Sequence, residues 1–260
     1  MKKLLVMLTA ICFGSSLSLV AGPLNGTFGG NGWATVTFSN FNACPTGSTP
    51  NGGNVAGACT PGTGVVNLSG GTGSYSNVSG ALNQVKSLSQ GSQPVGVVVS
   101  LPNWLVFTPE SVPLGGPQIS LTLTEVLAGT FPTGGFGPGS PCDPFATVVA
   151  GQTCTPSGSA FNLSNQTTTS SEATFTVIGN AVDGVAGDTT PFQYTISANF
   201  QVPFQQLLQA LLSNGGTGNY SSSYTVSFSA FAAAAPEPAT LSLIGAGLLG
   251  LGFLHRRKRS

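Results

Sequence analysis

Apolar and polar residues alternate with a period of two in one short stretch after another through the middle of the chain. WATVTFSNF places Ala34, Val36 and Phe38 on one face and Thr35 and Thr37 on the other. QISLTLTEV turns Ile119, Leu121 and Leu123 one way, and Ser120, Thr122 and Thr124 the other. EATFTVIG alternates around Phe175 and Val177. FQYTISANFQV does so around Phe192, Tyr194, Ile196, Ala198, Phe200 and Val202, and SYTVSFSAF around Tyr224, Val226, Phe228 and Ala230. Successive side chains of a strand point to opposite faces, so each stretch predicts a half-buried antiparallel strand. VGVVVSL is almost wholly apolar and predicts a central strand. Turns such as SGGTG, PLGGP and PTGGFGPG separate the strands. The expected fold class is therefore all-β, an antiparallel β-sandwich or jelly roll.

The period changes once. In VPFQQLLQALLSNGG, Phe204, Leu207, Leu208, Leu211 and Leu212 fall at helical spacing, with Pro203 suited to a start and Gly215 to a stop. This predicts one short amphipathic helix capping an end of the sandwich, or offering a face to a partner.

The two ends of the chain break the strand pattern. Met1-Lys2-Lys3 is a positive start, Leu4 to Gly14 an apolar run, and Leu19-Val20-Ala21-Gly22 a small-residue end. This is the form of a secretory signal peptide over residues 1–21, cut after Ala21, and it implies the Sec translocon and signal peptidase as partners. Near the other end, residues 239–254 are apolar apart from Thr240 and Ser242. As a helix they would reach about 24 Å, a marginal transmembrane span. The tail, 255–260, carries Arg256, Arg257, Lys258 and Arg259, which would hold it on the cytoplasmic side and leave the body, 22–235, outside.

Pro236-Glu237-Pro238, an apolar helix with glycines and an Arg-rich end occur in that order over residues 236–260. The segment resembles the PEP-CTERM sorting signal of Gram-negative bacteria, also called an ice-binding protein C-terminal domain. The resemblance implies an exosortase partner, a membrane transpeptidase that recognises Pro-Glu-Pro and cuts near it. It also implies an inner-membrane-anchored precursor that passes to the cell surface or extracellular matrix. It says nothing about the body.

Composition narrows the body's function by exclusion. Hydrophobic residues make up 40% of the chain, enough to offset the entropy of ordering it. The body holds one cation, Lys86, against Glu110, Glu125, Asp143, Glu172, Asp183 and Asp188, a net of −5. Such a surface cannot neutralise phosphates, so no nucleic-acid partner is expected. The single histidine, His255, lies in the basic tail. The body thus lacks the group that Ser-His-Asp and Cys-His catalysis require, and no enzyme, metal or cofactor is expected. Its carboxylates are scattered, which leaves a carboxylate-dependent hydrolase as a remote alternative.

Four body cysteines, Cys44, Cys59, Cys142 and Cys154, favour disulfides in an exported chain. Three pairings exist; Cys44–Cys59 and Cys142–Cys154 are preferred because each brackets a turn-rich loop. CTPGTGVVNLS after Cys59 and CTPSGSAFNLS after Cys154 share a spacing that hints at two related halves. Asp183 and Asp188 flank a glycine-containing loop that suits a solvated turn better than a Ca²⁺ site. The Thr-x-Thr pairs lack the regular period an ice-binding array needs. Trp33, Trp104 and Tyr75 are candidates for stacking on sugars. The function expected is an exported, exosortase-sorted surface or matrix protein with a structural or adhesive role. The alternative is a carbohydrate-binding module of the extracellular polysaccharide.

Overall fold

The computed structural model describes residues 24–45, 59, 62–76, 78, 82–107, 119–182, 189–216 and 218–231. The expected signal peptide, sorting segment and transmembrane helix lie outside them. Among the described residues no helix is long and apolar enough to cross a membrane.

Eight strands form a closed ring, not a sandwich or jelly roll. They are β1 (Gly26–Val36), β3 (Thr63–Ser69), β4 (Leu82–Lys86), β6 (Leu101–Val106), β7 (Ser120–Val126), β11 (Ser171–Val182), β12 (Thr189–Phe200) and β13 (Tyr220–Ala230). Each is hydrogen-bonded antiparallel to the next, and β13 returns to β1 along the full length of both. The ring corrects the sandwich expectation, and its physical reason is register. β12 pairs over twelve residues with β11 and through Phe192–Ser197 with β13, so neither carries a free edge there. Closure removes the unpaired edges that two stacked sheets would expose.

The alternation read from sequence sets which way the staves face. Leu121, Leu123, Phe175, Val177, Phe192, Tyr194, Ile196, Tyr224, Val226 and Phe228 are all buried. VGVVVSL departs from expectation. It makes one isolated bridge, Val95 to Val126, and two further backbone bonds to β7, from Gly96 and Val99 N–H to the Val126 and Thr124 carbonyls, while Gly96 turns the chain with φ 72° and Val97 and Val98 are exposed. The segment skirts the end of β7, and β6 begins only at Leu101.

Tight curvature is accommodated by glycine. The β7–β11 register shifts between Ile178 and Gly179. A Cβ on Gly179 would stand 2.1 Å from the Thr122 carbonyl oxygen and 2.8 Å from the Phe192 ring. Glycine is the residue that lets the two backbones approach at such a bulge.

The connections divide unequally between the two ends of the barrel. The start of β1 and the end of β13 share one end, where Gly26 pairs with Ala230. Tyr75, in the 3-10 turn Gly73–Tyr75, is buried there against Phe28, Phe107 and Phe228. The larger of the described excursions gather at the other end. They comprise β2 (Asn40–Ala43), β5 (Leu88–Ser89), β8 (Thr133–Gly134), β9 (Thr153–Pro156), β10 (Asn162–Asn165) and the helix α1 (Phe204–Gly216). β10 takes over pairing with β11 where β7 stops, which extends the wall.

Candidate functional site

The α1 end of the barrel holds an apolar cavity of about 60 Å³. The pairing of inward-facing residues explains why it forms. Deeper in the barrel, glycine faces a large side chain: Gly30 opposes Val226, Gly32 opposes Tyr224 and Gly179 opposes Phe192. The large residue fills the space its partner leaves. Nearer α1 the pairing is small against small, Ala34 with Ser222 one inward level beyond Gly32 and Ala173 with Ala198 one inward level beyond Phe175–Ile196. Nothing fills the space between them. Phe41, Phe161, Phe175 and Ile196 line its deeper part, and Leu207, Leu208 and Leu211 of α1 roof it. Phe41, Phe161 and Phe175 make edge-on ring contacts at 5.1–5.3 Å, a preferred aromatic geometry.

The hydroxyls around the cavity are largely committed. Thr37 Oγ1 accepts from the backbone N–H of Ser39 and Asn40, and Ser159 Oγ from that of Phe161. Ser222 Oγ donates to the Ser223 carbonyl. Burial raises the Tyr224 phenol well above its ordinary pKa, so it stays neutral.

The roof helix is held by polar groups that alternation patterns do not reveal. The Pro203 carbonyl accepts from Gln206 N–H at 3.0 Å, starting the helix. The N–H of Phe204 donates to Asn165 Oδ1 at 2.9 Å, which satisfies a donor left open by helix geometry. Asn165 Nδ2 donates to Gln205 Oε1 at 2.9 Å, and Gln205 Nε2 to Gln152 Oε1 at 2.8 Å. Asn165 and Gln205 are both fully buried. At its far end α1 stops on Gly215 and Gly216, both with positive φ, and Gly218 N–H returns to the Ser213 carbonyl.

Both disulfides join the preferred partners. Cys44–Cys59 has a Cα separation of 5.2 Å and Cys142–Cys154 of 5.4 Å. The second packs with Leu163, Phe200, Phe204, Leu207 and Leu208 in a cluster under α1. The two CTP phrases do not lead to equivalent places. Asn67-Leu68-Ser69 ends the barrel stave β3, whereas Asn162-Leu163-Ser164 lies in β10, outside the ring.

The aromatic candidates are dispersed. Trp33 is 37% exposed on the outside of β1. Trp104 is 0% exposed, its ring edge-on to Tyr194 at 4.9 Å and its indole N–H donating to the Lys86 carbonyl. Tyr75 is equally buried, at 1%. Trp104 and Tyr75 therefore serve the core and offer no sugar-stacking face, a correction that follows from the packing of Trp104 on Phe192 and Tyr194 and of Tyr75, in its 3-10 turn, on Phe28 and Phe228. Lys86 donates to the Pro102 carbonyl at 2.6 Å beside a separate cleft. Asp143 is buried and organises its own turn, accepting from Gly139 and Phe145 N–H. Glu110, Asp183 and Asp188 lie outside the described residues, as do Pro236, Glu237, Pro238 and the basic tail. Among the described residues no cluster of three or more His, Cys, Asp or Glu is placed to hold a metal ion.

The cavity and the amide cluster were both missed by motif reading. The one trace of the cavity in the sequence is alanine at the inward positions 34, 173 and 198, the last two beside Phe175, Ile196 and Phe200 on the same faces of their strands.

Residues 234–258 match the PEP-CTERM protein-sorting motif. No curated protein and no solved structure matches the chain. The motif carries the implication of an exported precursor handled by an exosortase.

Proposed function

We propose that this chain is a non-catalytic component of the outer surface or extracellular polysaccharide matrix, with a structural or adhesive role. The PEP-CTERM motif at 234–258 carries the reading. On it, residues 1–21 direct Sec export and are removed by signal peptidase. The 239–254 segment parks the precursor in the inner membrane, and an exosortase cuts near Pro236-Glu237-Pro238. Two features of the body support the role. A closed barrel with two disulfides presents few frayed edges to an oxidising, protease-rich exterior. The described carboxylates Glu125, Asp143 and Glu172 sit on separate elements, with Asp143 bound into its own turn. Burial of Trp104 and Tyr75 weighs against the carbohydrate-binding alternative, which would rest on Trp33 alone.

The test compares cells with and without the exosortase. Mass spectrometry should find the body in the matrix fraction of the former, lacking the residues after Pro-Glu-Pro, and intact membrane-bound chain in the latter. A strain deleted for this chain should form a matrix of lower cohesion. Identical fractionation in both strains refutes the route; unchanged matrix cohesion refutes the role.

A further inference from the structure

We propose that the cavity beneath α1 binds a slender, uncharged apolar molecule of the class of a medium-chain alkyl alcohol. This goes beyond the matrix role and stands independently of it.

The first argument is that the space is built into the wall. Ala34 with Ser222, and Ala173 with Ala198, are small-against-small pairs that line the same cavity, whereas Gly30, Gly32 and Gly179 each face a large residue. A longer side chain at any of the four positions would fill the gap, as Tyr224 does over Gly32. Interiors normally close to the density of organic crystals. This one cannot close by collapse, because every stave is hydrogen-bonded on both sides. Its roof is likewise tied down, through Asn165, Gln205 and the cluster around Cys142–Cys154.

The second argument is chemical. A water needs roughly 10–15 Å³ of such space and two to four polar partners. The volume of about 60 Å³ would take about four waters by that measure. The walls supply too few for that number: Ser222 already donates to a backbone carbonyl, Thr37 and Ser159 already accept from backbone N–H groups, and the rest of the lining is apolar apart from the Tyr220 and Tyr224 phenols. An alkyl chain asks for none. Its burial is favourable in proportion to the apolar area removed from water.

The third argument is charge, which selects among apolar molecules. Among the described residues no Lys, Arg, Asp or Glu lines the cavity, and Lys86 borders a different cleft. A carboxylate head would find no cation among the described residues, whereas an alcohol hydroxyl can accept from the Thr37 or Ser159 O–H, which the backbone bonds leave open as a donor.

The experiment is a titration of the exported chain, purified from cells without detergent, with 1-hexanol. It is read by ¹³C-methyl spectra. Saturable shifts are expected at the methyls of Leu207, Leu208, Ala173 and Ala198, with Val78 at the opposite end unmoved. Hexanoate should bind at least tenfold more weakly, and glucose should move nothing. Ala198→Met, which fills the void, should weaken 1-hexanol at least tenfold while the far-ultraviolet spectrum is unchanged. If that variant does not fold, Leu211→Phe, at the roof, is read the same way. Shifts that rise linearly at all methyls alike, or affinity unchanged in the filling variant, would overturn the site. Equal binding of hexanoate would overturn the uncharged class.

Discussion

Replacing Asn165 by Ala should loosen the roof of the cavity before it unfolds the barrel. The side chain accepts from Phe204 N–H at 2.9 Å and donates to Gln205 Oε1 at 2.9 Å. Truncation orphans a buried donor and a buried acceptor together. Each unsatisfied buried group costs about 1–3 kcal/mol, so a total of about 2–4 kcal/mol is expected once some water penetrates. The cost falls on α1, because Asn165 keeps its backbone bonds to Gln152 and Gly151. Since 1.4 kcal/mol is a factor of ten, amide exchange of Leu207 and Leu208 should accelerate by about 30-fold or more. Amides of Val226 and Tyr194, in the full-length pairings of β12 and β13, should change far less. The assay is native-state hydrogen exchange by NMR, with Gln209→Ala as control, since Gln209 makes only an edge bond to the Pro144 carbonyl. An Asn165→Ala protein whose α1 amides exchange within threefold of wild type would refute the claim that this cluster holds the roof.

Gly179→Ala should cost about 1–3 kcal/mol or more in urea unfolding, because the new Cβ meets the Thr122 carbonyl; a loss below 0.5 kcal/mol, on that scale, would mean the bulge yields freely. Removing Cys44–Cys59 as a double Ala variant should cost about 3 kcal/mol in the chain-entropy account for a separation of 15 residues, measured as a shift in the urea midpoint. Burial raises the phenol pKa of Tyr75, Tyr194 and Tyr224 in the folded state. Their stabilising effect is complete below the unfolded phenol value of about 10 and is lost as pH climbs above it, because the unfolded chain then releases protons the folded one retains. Their phenolate absorbance at 295 nm should therefore rise together with loss of circular dichroism above about pH 10. Ionisation of all three ahead of unfolding would contradict their burial.

The alternating runs determined which residues of β7, β11, β12 and β13 face inward, because side-chain period is a local property of extended backbone. The leucine spacing after Pro203 fixed the helix for the same reason, and the C-terminal motif was legible because it is a contiguous string. Disulfide partners were readable from loop brackets alone. None of these signals reports which strand lies beside which. An inward alternation is the same in a sandwich and in a barrel, and only the return of β13 onto β1 and of β12 onto both β11 and β13 decides for closure. The same holds for Trp104 and Tyr75: an aromatic in glycine-rich sequence is exposed or buried according to neighbours far along the chain. VGVVVSL failed as a central strand because hydrophobicity attracts a segment toward apolar surface without securing a continuous ladder: it meets β7 only at Val95, Gly96 and Val99, and Val97 and Val98 face outward. The cavity, finally, is a property of register. Four small residues scattered from position 34 to position 222 become one void only when hydrogen bonding sets Ala34 beside Ser222 and Ala173 beside Ala198, and no local pattern encodes that meeting.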